Sequence, residues 1–367
     1  MEVKFWEPQR EYLLYKEEID NAIQGVLSSG KLILGHSPEI EKFEESFAKF
    51  VGKRHAIMVG AGTHALYLAY RALGIGSGDE VITVSHTFIA TIDQIVAVGA
   101  TPVLVDINPE TGLIDPSEIA KAITPRTKAI VPVHLEGKVA DVPVWVFLSR
   151  SLADPLIHVI EDAAQAIGAK GVGLDFALRD IQCYSLFPAK ILGSVGNAGC
   201  ITTNDDNIAQ GLRMMRCNGN IGKTSDLNAE FGTNMEPDAI QAAVLNVKMK
   251  YLPEMLKRRQ EIAQMYDEGL KGLPIDLPLQ QQGRVYQDYV IRPRFQKNEL
   301  VKFLQDNGIG TLGHNLIPNH HYPKLGLKFN LPHTDVYISR QIRIPCRPEF
   351  TNEEINYVIE KINEFYR

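Results

Sequence analysis

The sequence is poor in cysteine, and its four, Cys183, Cys200, Cys217 and Cys346, include no C-x-x-C pair. That spacing gives no support to a thiolate zinc site or a redox dithiol, and it predicts reduced, mostly buried thiols. Also absent is any Lys/Arg-rich run, and the formal net charge is −6. Such a chain lacks the electrostatic footprint of a nucleic-acid binder or of a protein that docks on an anionic membrane. No apolar stretch approaches the roughly 18 residues that would span a bilayer, and the opening Met1-Glu2-Val3-Lys4 is already charged. The expectation is a cytoplasmic protein that handles small molecules. Internal repeats and low-complexity segments are missing as well.

What is present is length and a strand rhythm. At 367 residues the chain exceeds one typical domain, so a large unit with a smaller one is expected. Apolar runs rich in Val and Ile recur at 80–84, 102–106, 129–133 and 157–161. Their continuous apolarity means that both faces are covered, the signature of parallel strands in an α/β sheet. Amphipathic stretches at 63–73 and 116–122 supply covering helices. Asp106, His134 and Asp162 fall at strand ends, where such sheets form ligand crevices. A dinucleotide-binding domain would share this pattern, but no G-x-G-x-x-G follows any of these strands.

After Asn204-Asp205-Asp206 the texture turns helical, with long stretches at 238–252 and 256–270 interrupted by Pro253. Proline disfavours helix continuation, so the boundary is placed there, giving a large cofactor-binding domain over 1–252 and a small α+β domain over 253–367. In the second, a strand-like run at 289–293 precedes a helix at 296–307. Thr351 and Glu354 form a capping box for the last helix.

Lys190 carries the most chemical information. An amine can hold an aldehyde as a Schiff base, and a carboxylate can keep a pyridine nitrogen protonated. Asp162, ending a buried strand, needs a cationic partner, which a pyridinium would supply; its alternative is an N-cap for the residues that follow. The pair points to pyridoxal 5′-phosphate. Gly60-Ala61-Gly62-Thr63-His64 opens a helix, whose first N–H groups suit a phosphate, although a plain turn with an N-cap reads the same. Ser185 adds a hydroxyl for that phosphate. Phe88 is either a ring stacked on the pyridine or a core residue. Gly193, Gly196 and Gly199 lend the turn after Lys190 backbone flexibility.

Taken together, the chain resembles the DegT/DnrJ/StrS family of pyridoxal-phosphate-dependent sugar aminotransferases, of aspartate-aminotransferase fold type I. The likeness runs nearly end to end, through Ala61-Gly62-Thr63, Gly74-Ile75-Gly76-Ser77-Gly78-Asp79-Glu80, Gly99-Ala100-Thr101-Pro102, Glu161-Asp162-Ala163-Ala164-Gln165, Gly232-Thr233-Asn234 and Pro348-Glu349-Phe350-Thr351. The resemblance implies that Lys190 forms the Schiff base and later moves the proton, that Asp162 pairs with the pyridine nitrogen, and that Gln165 lies near the ring's phenolic oxygen. It also implies that the backbone at Thr63 and His64, with Ser185, holds the phosphate, that Phe88 stacks on the ring, and that Asn234 reaches the phosphate of a neighbouring subunit's cofactor. A homodimer with shared active sites follows from that last contact. The implied reaction passes nitrogen from an amino acid, by family habit glutamate, to C3 or C4 of a nucleotide-linked keto-sugar.

The chain departs from the family pattern mildly at Gly196-Asn197-Ala198-Gly199, which replaces a common Gly-Asp-Gly-Gly, and more strongly in two other segments. Asn234-Met235-Glu236-Pro237 stands where many relatives read Asn-Tyr-Arg or Asn-Ser-Arg, so a cation is exchanged for a carboxylate. His314-Asn315-Leu316-Ile317-Pro318-Asn319-His320 stands in place of the family's His-Tyr-Pro-x-Pro-x-His and keeps both histidines and the second proline, which implies either substrate contact by His314 and His320 or a structural role. His321 raises a metal-site reading, but no carboxylate or cysteine accompanies the histidines at ligand spacing, so no metal is expected. The alternative reaction within the family is sugar dehydration or deoxygenation. Deoxygenating relatives that work without a Schiff base carry His at the lysine position, and Lys190 counts against that branch.

Overall fold

The computed structural model describes residues 1–33, 35, 37–141, 157–171, 181–219, 232–326 and 328–367. Seven short strands, β1 (His55–Val59), β2 (Glu80–Val84), β3 (Thr101–Val105), β4 (Thr127–Ile130), β5 (His158–Asp162), β6 (Ile181–Ser185) and β7 (Gly199–Thr203), form one sheet in the order β1-β7-β6-β5-β4-β2-β3. β2, β5 and β7 are buried at every position, as continuous apolarity requires of strands covered on both faces. All neighbours pair in parallel except β7, which is antiparallel to β1 and β6. The mostly parallel α/β sheet expected from the sequence is therefore observed, with one strand reversed.

Strand β4 stops earlier than its apolar run. Val131 still donates its N–H to the Ile82 carbonyl at 2.7 Å, but Pro132 has no N–H with which to continue the ladder. The helix Gly62–Ala72 buries Ala65, Leu66, Leu68, Ala69 and Tyr70 against sheet residues including Ile57, Val59, Ile160 and Ile201. On another surface, Pro38–Val51 buries Phe43 and Phe47, which cluster with Met58, Tyr184 and Cys200. The four cysteines are free and three of them are buried, as expected from their spacing.

A second core surrounds a three-stranded antiparallel sheet of β8 (Ile275–Asp276), β9 (Tyr289–Pro293) and β10 (Ile342–Ile344). Ile262 and Tyr266 from the helix Leu252–Gly269, Leu304 from Lys297–Asp306 and Ile355 from Asn352–Phe365 pack there with Tyr289, Ile291 and Ile344; Val3, from the start of the chain, joins them. Thr351 and Glu354 make the expected capping box, satisfying two otherwise orphaned N–H groups. Pro253 falls in the first turn of its helix, where a missing N–H costs nothing. The fully buried Arg259 donates from Nη1 to the carbonyls of Tyr286, Gln287 and Cys346 at 2.9, 3.1 and 2.8 Å. One guanidinium thus fixes two segments that run on into the site. Among the described residues, no helix is long and apolar enough to cross a membrane.

Candidate active site

Strands β5 and β6 end side by side, and their ends deliver the two residues on which the sequence reading rests. Asp162, the last residue of β5, is 5% exposed. Its Oδ2 accepts from Thr91 Oγ1 at 2.7 Å and its Oδ1 from the Ala164 N–H at 3.1 Å. Asp162 thus caps a turn, where the sequence reading offered a helix N-cap, and its carboxylate lines the cavity. After β6, a turn closed by the Lys190 N–H and the Phe187 carbonyl at 2.8 Å brings Lys190 back to the same cavity.

The Lys190 amine makes no hydrogen bond among the described residues and opens onto a cavity of about 660 Å³. Burial pushes it below the ordinary lysine range; Asp288 and Asp162 pull it upward, and Arg343 and Arg347 push it down again. A less basic amine is more often neutral near pH 7, and therefore more often nucleophilic.

A third element completes the wall. The helix Gly62–Ala72 has no side-chain cap, and Gly62 and Thr63 line the cavity with Ser185. Its first N–H groups are available to an anion, which the positive end of the helix favours. The glycines here are required by close approach. A Cβ on Gly62 would lie 2.8 Å from Ser185 Cβ, and one on Gly199 would lie 2.4 Å from the carbonyl carbon of Ala61. Gly193, Gly196 and Gly199 do not adopt positive φ, so a left-handed backbone is not what requires glycine there. Gly193 is needed because a Cβ would meet the Pro188 oxygen at 2.3 Å. Gly199→Ala is expected to destabilise the fold by about 1–3 kcal/mol and to weaken phosphate-dependent cofactor binding. Chemical denaturation and fluorescence titration with pyridoxal phosphate measure the two effects, and a variant unchanged in both rejects this account.

The remaining expected residues divide. Gln165 lines the cavity; its Oε1 accepts from the Glu136 N–H at 2.8 Å, so its amide NH₂ is the group left for a ligand. Phe88 is on the cavity wall and 70% exposed, which removes the core reading. The His64 side chain does not line the cavity, and burial lowers its pKa. Asn234, bridged to Cys217, and His314, half-buried beside Thr311, do not line it either. His320 is buried away from it, with Nδ1 at 2.8 Å from Ser85 Oγ. Asp335 lies 3.3 Å from His320 Nε2 and 2.7 Å from His321 Nε2. This corrects the sequence argument that no carboxylate accompanies these histidines: the fold brings one from the helix Pro332–Arg340.

Sequence reasoning missed Thr91, which orients Asp162, and the contribution of the second core: Gln287, Asp288, Arg343 and Arg347 all line the cavity. One signal was available. Arg343 lies between Ile342 and Ile344 in a short apolar strand, where a charge must face something specific.

The fit to pyridoxal phosphate rests on three features. A free amine, a buried carboxylate and an uncapped helix start converge from three strand ends on one cavity, which suits an aldehyde, a pyridine nitrogen and a phosphate. Comparison with known proteins gives the same direction. Residues 14–363 match the model of the DegT/DnrJ/EryC1/StrS aminotransferase family. The chain is 38% identical to the dTDP-3-amino-3,4,6-trideoxy-alpha-D-glucose transaminase of Streptomyces venezuelae, covering 99% of this chain and 96% of that protein. It is also similar to the structure of S. venezuelae DesV in complex with a ketimine intermediate, with a TM-score of 0.92, 37% identity and coverage of 100% of this chain and 99% of the other. NtdA from Bacillus subtilis, solved with bound cofactor PMP, aligns with a TM-score of 0.89 at 32% identity, over 99% of this chain and 85% of that one. A match of this length, with the lysine and the aspartate meeting in one cavity, places the chain in the DegT/DnrJ/EryC1/StrS aminotransferase family.

Proposed function

We propose that this chain is a pyridoxal-phosphate-dependent aminotransferase that moves an amino group from an amino acid, glutamate by the habit of its family, to C3 or C4 of a nucleotide-linked keto-sugar. It works in the cytoplasm as a homodimer whose partner supplies Asn234 to the shared site. The observation that carries this reading is the Lys190 amine, without a hydrogen bond among the described residues and lowered in basicity, on the same cavity as the buried Asp162 carboxylate. When bound, the cofactor supplies an aldehyde and an electron-withdrawing ring.

The chain's own residues do the rest. Asp162, fixed on one oxygen by Thr91 and on the other by the Ala164 N–H, holds a proton on the ring nitrogen, since a carboxylate at this depth is stabilised by a cationic partner. Gln165, immobilised through Glu136, offers its amide N–H to the ring oxygen. The N–H groups of Gly62 and Thr63, with Ser185, hold the phosphate. Lys190 Nζ would hold the cofactor's aldehyde and, as a free amine, would take and carry the substrate Cα proton, a role that its lowered pKa favours.

Glutamate labelled with ¹⁵N tests the reaction. Incubation of the cofactor-loaded protein with a panel of nucleotide keto-sugars is expected to deliver the label to the sugar. Sugar dehydration without nitrogen transfer would replace this reading with the alternative chemistry, and no change in any sugar would reject both.

A further inference from the structure

His320, His321 and Asp335 form a cluster that does not line the Lys190 cavity. One donor atom from each side chain lies within 4.8 Å of the other two. His320 Nε2 stands 3.3 Å from Asp335 Oδ1, and His321 Nε2 stands 2.7 Å from the same oxygen. The pair of His321 with Asp335 is a hydrogen bond. His320 differs: its side chain is 1% exposed, and its Nε2 makes no hydrogen bond among the described residues. A buried ring nitrogen left in that state costs free energy, and a cation held between it and the shared oxygen would satisfy it.

The other ring nitrogen is already arranged for this. His320 Nδ1 lies 2.8 Å from Ser85 Oγ, which also accepts from the His320 backbone N–H at 3.0 Å. With Nδ1 protonated and donating to Ser85, the Nε2 lone pair is free for the cluster, and a hydrogen bond on the far nitrogen is how metal-ligating histidines are usually held. The spacing agrees. Donors about 2.0–2.1 Å from one zinc ion stand roughly 3.3 Å apart in a tetrahedron, as His320 and Asp335 do. His321 is closer to the carboxylate by a fraction of an ångström, and its side chain, 51% exposed, has room to swing out. Two imidazoles with one carboxylate suit zinc and its neighbours, whereas magnesium and calcium take oxygen ligands.

We infer that His320, His321 and Asp335 bind a divalent transition-metal ion of the zinc class, with water in the remaining position. The ion joins the short turn Asn319–His321 to the helix Pro332–Arg340. Both are fixed to the main sheet. Asn319 Nδ2 donates to the carbonyls of Ser85 and Thr87 at 3.1 and 2.8 Å, and the Asp106 carboxylate accepts from the N–H groups of His333 and Thr334, both at 2.9 Å. Thr87 and Phe88 line the Lys190 cavity, so the ion braces one wall of that cavity from outside and stands apart from the reaction proposed above.

Equilibrium dialysis against zinc tests this on the cofactor-loaded protein, prepared without a histidine tag and washed with chelator. A single zinc ion per chain is expected, undisplaced by equal magnesium, and the melting temperature should rise with free zinc. His321→Ala and Asp335→Asn, neither at a buried position, are each expected to weaken zinc at least tenfold and to lose the thermal shift. His55→Ala removes another histidine beside a carboxylate, that of Asp206, and is expected to bind zinc as the wild type does, which separates the site from adventitious surface binding. No bound zinc, displacement by magnesium, a loss smaller than tenfold in either cluster variant, or the same loss in His55→Ala overturns the inference. Binding is read without substrate, so the result does not depend on whether the chain transfers nitrogen.

Discussion

Lys190→Ala will lose the visible absorbance of lysine-bound pyridoxal phosphate and will transfer nitrogen from glutamate at least about 10³-fold more slowly than the wild type, since nucleophile and proton carrier are removed together. The fold will survive, because the amine makes no hydrogen bond among the described residues and its removal orphans no partner there. A melting temperature close to wild type is the control. Arginine will not rescue the activity, since a guanidinium cannot be deprotonated in a protein. A small primary amine added to the alanine variant will restore part of the proton transfer. An alanine variant that keeps both the band and the rate would remove Lys190 from the reaction.

Asp162→Asn is the second large effect. The carboxamide keeps the shape and an oxygen for the Ala164 N–H but loses the charge that stabilises a protonated ring nitrogen. Leaving one member of a buried pair without its partner costs about 3–5 kcal/mol, equivalent to a half-reaction slower by roughly 10²- to 10⁴-fold. Rapid mixing of the cofactor-loaded variant with glutamate reads that rate. The cofactor should still bind, because Lys190 and the helix start at Gly62 are untouched. A rate within threefold of wild type would mean that Asp162 is a turn cap and nothing more. Thr91→Val provides a graded comparison: it removes the hydrogen bond to Oδ2 while leaving the charge, and its rate should lie between those of the Asp162→Asn variant and the wild type.

Much of the sheet was legible before any coordinates. The run at 80–84 became β2 and the run at 289–293 became β9 without adjustment, because apolar β-branched residues in short runs leave few alternatives. The capping box at Thr351 was equally local: four residues specify it. Strand β7 was not legible as a reversed strand, since direction depends on how the connection packs. The early end of β4 was written at Pro132 but needed the neighbouring strand to give it meaning.

The site divides along the same line. Asp162 and Lys190 announced themselves because each stands where a charge is expensive, at the end of a strand or in the turn after one. Arg347 did not, because a lone arginine before a proline reads as surface until Arg259 and Ala189 are seen to hold its segment in place. The histidines at 320 and 321 misled in the opposite sense. Their sequence spacing offered no carboxylate, while Asp335 reaches them from a separate helix.

By itself, the sequence determined the strands, the lysine and aspartate proposed to carry the chemistry, and the helix start that suits a phosphate. These depend on residue type and on neighbours a few positions away, and such local preferences survive in any fold that contains them. Only the tertiary structure decided that Asp288, Arg343 and Arg347 share a cavity with Lys190. Their charges are separated by about a hundred residues or more from the lysine, and an electrostatic pairing acts through space, so it exists only once the second core has been packed against the first.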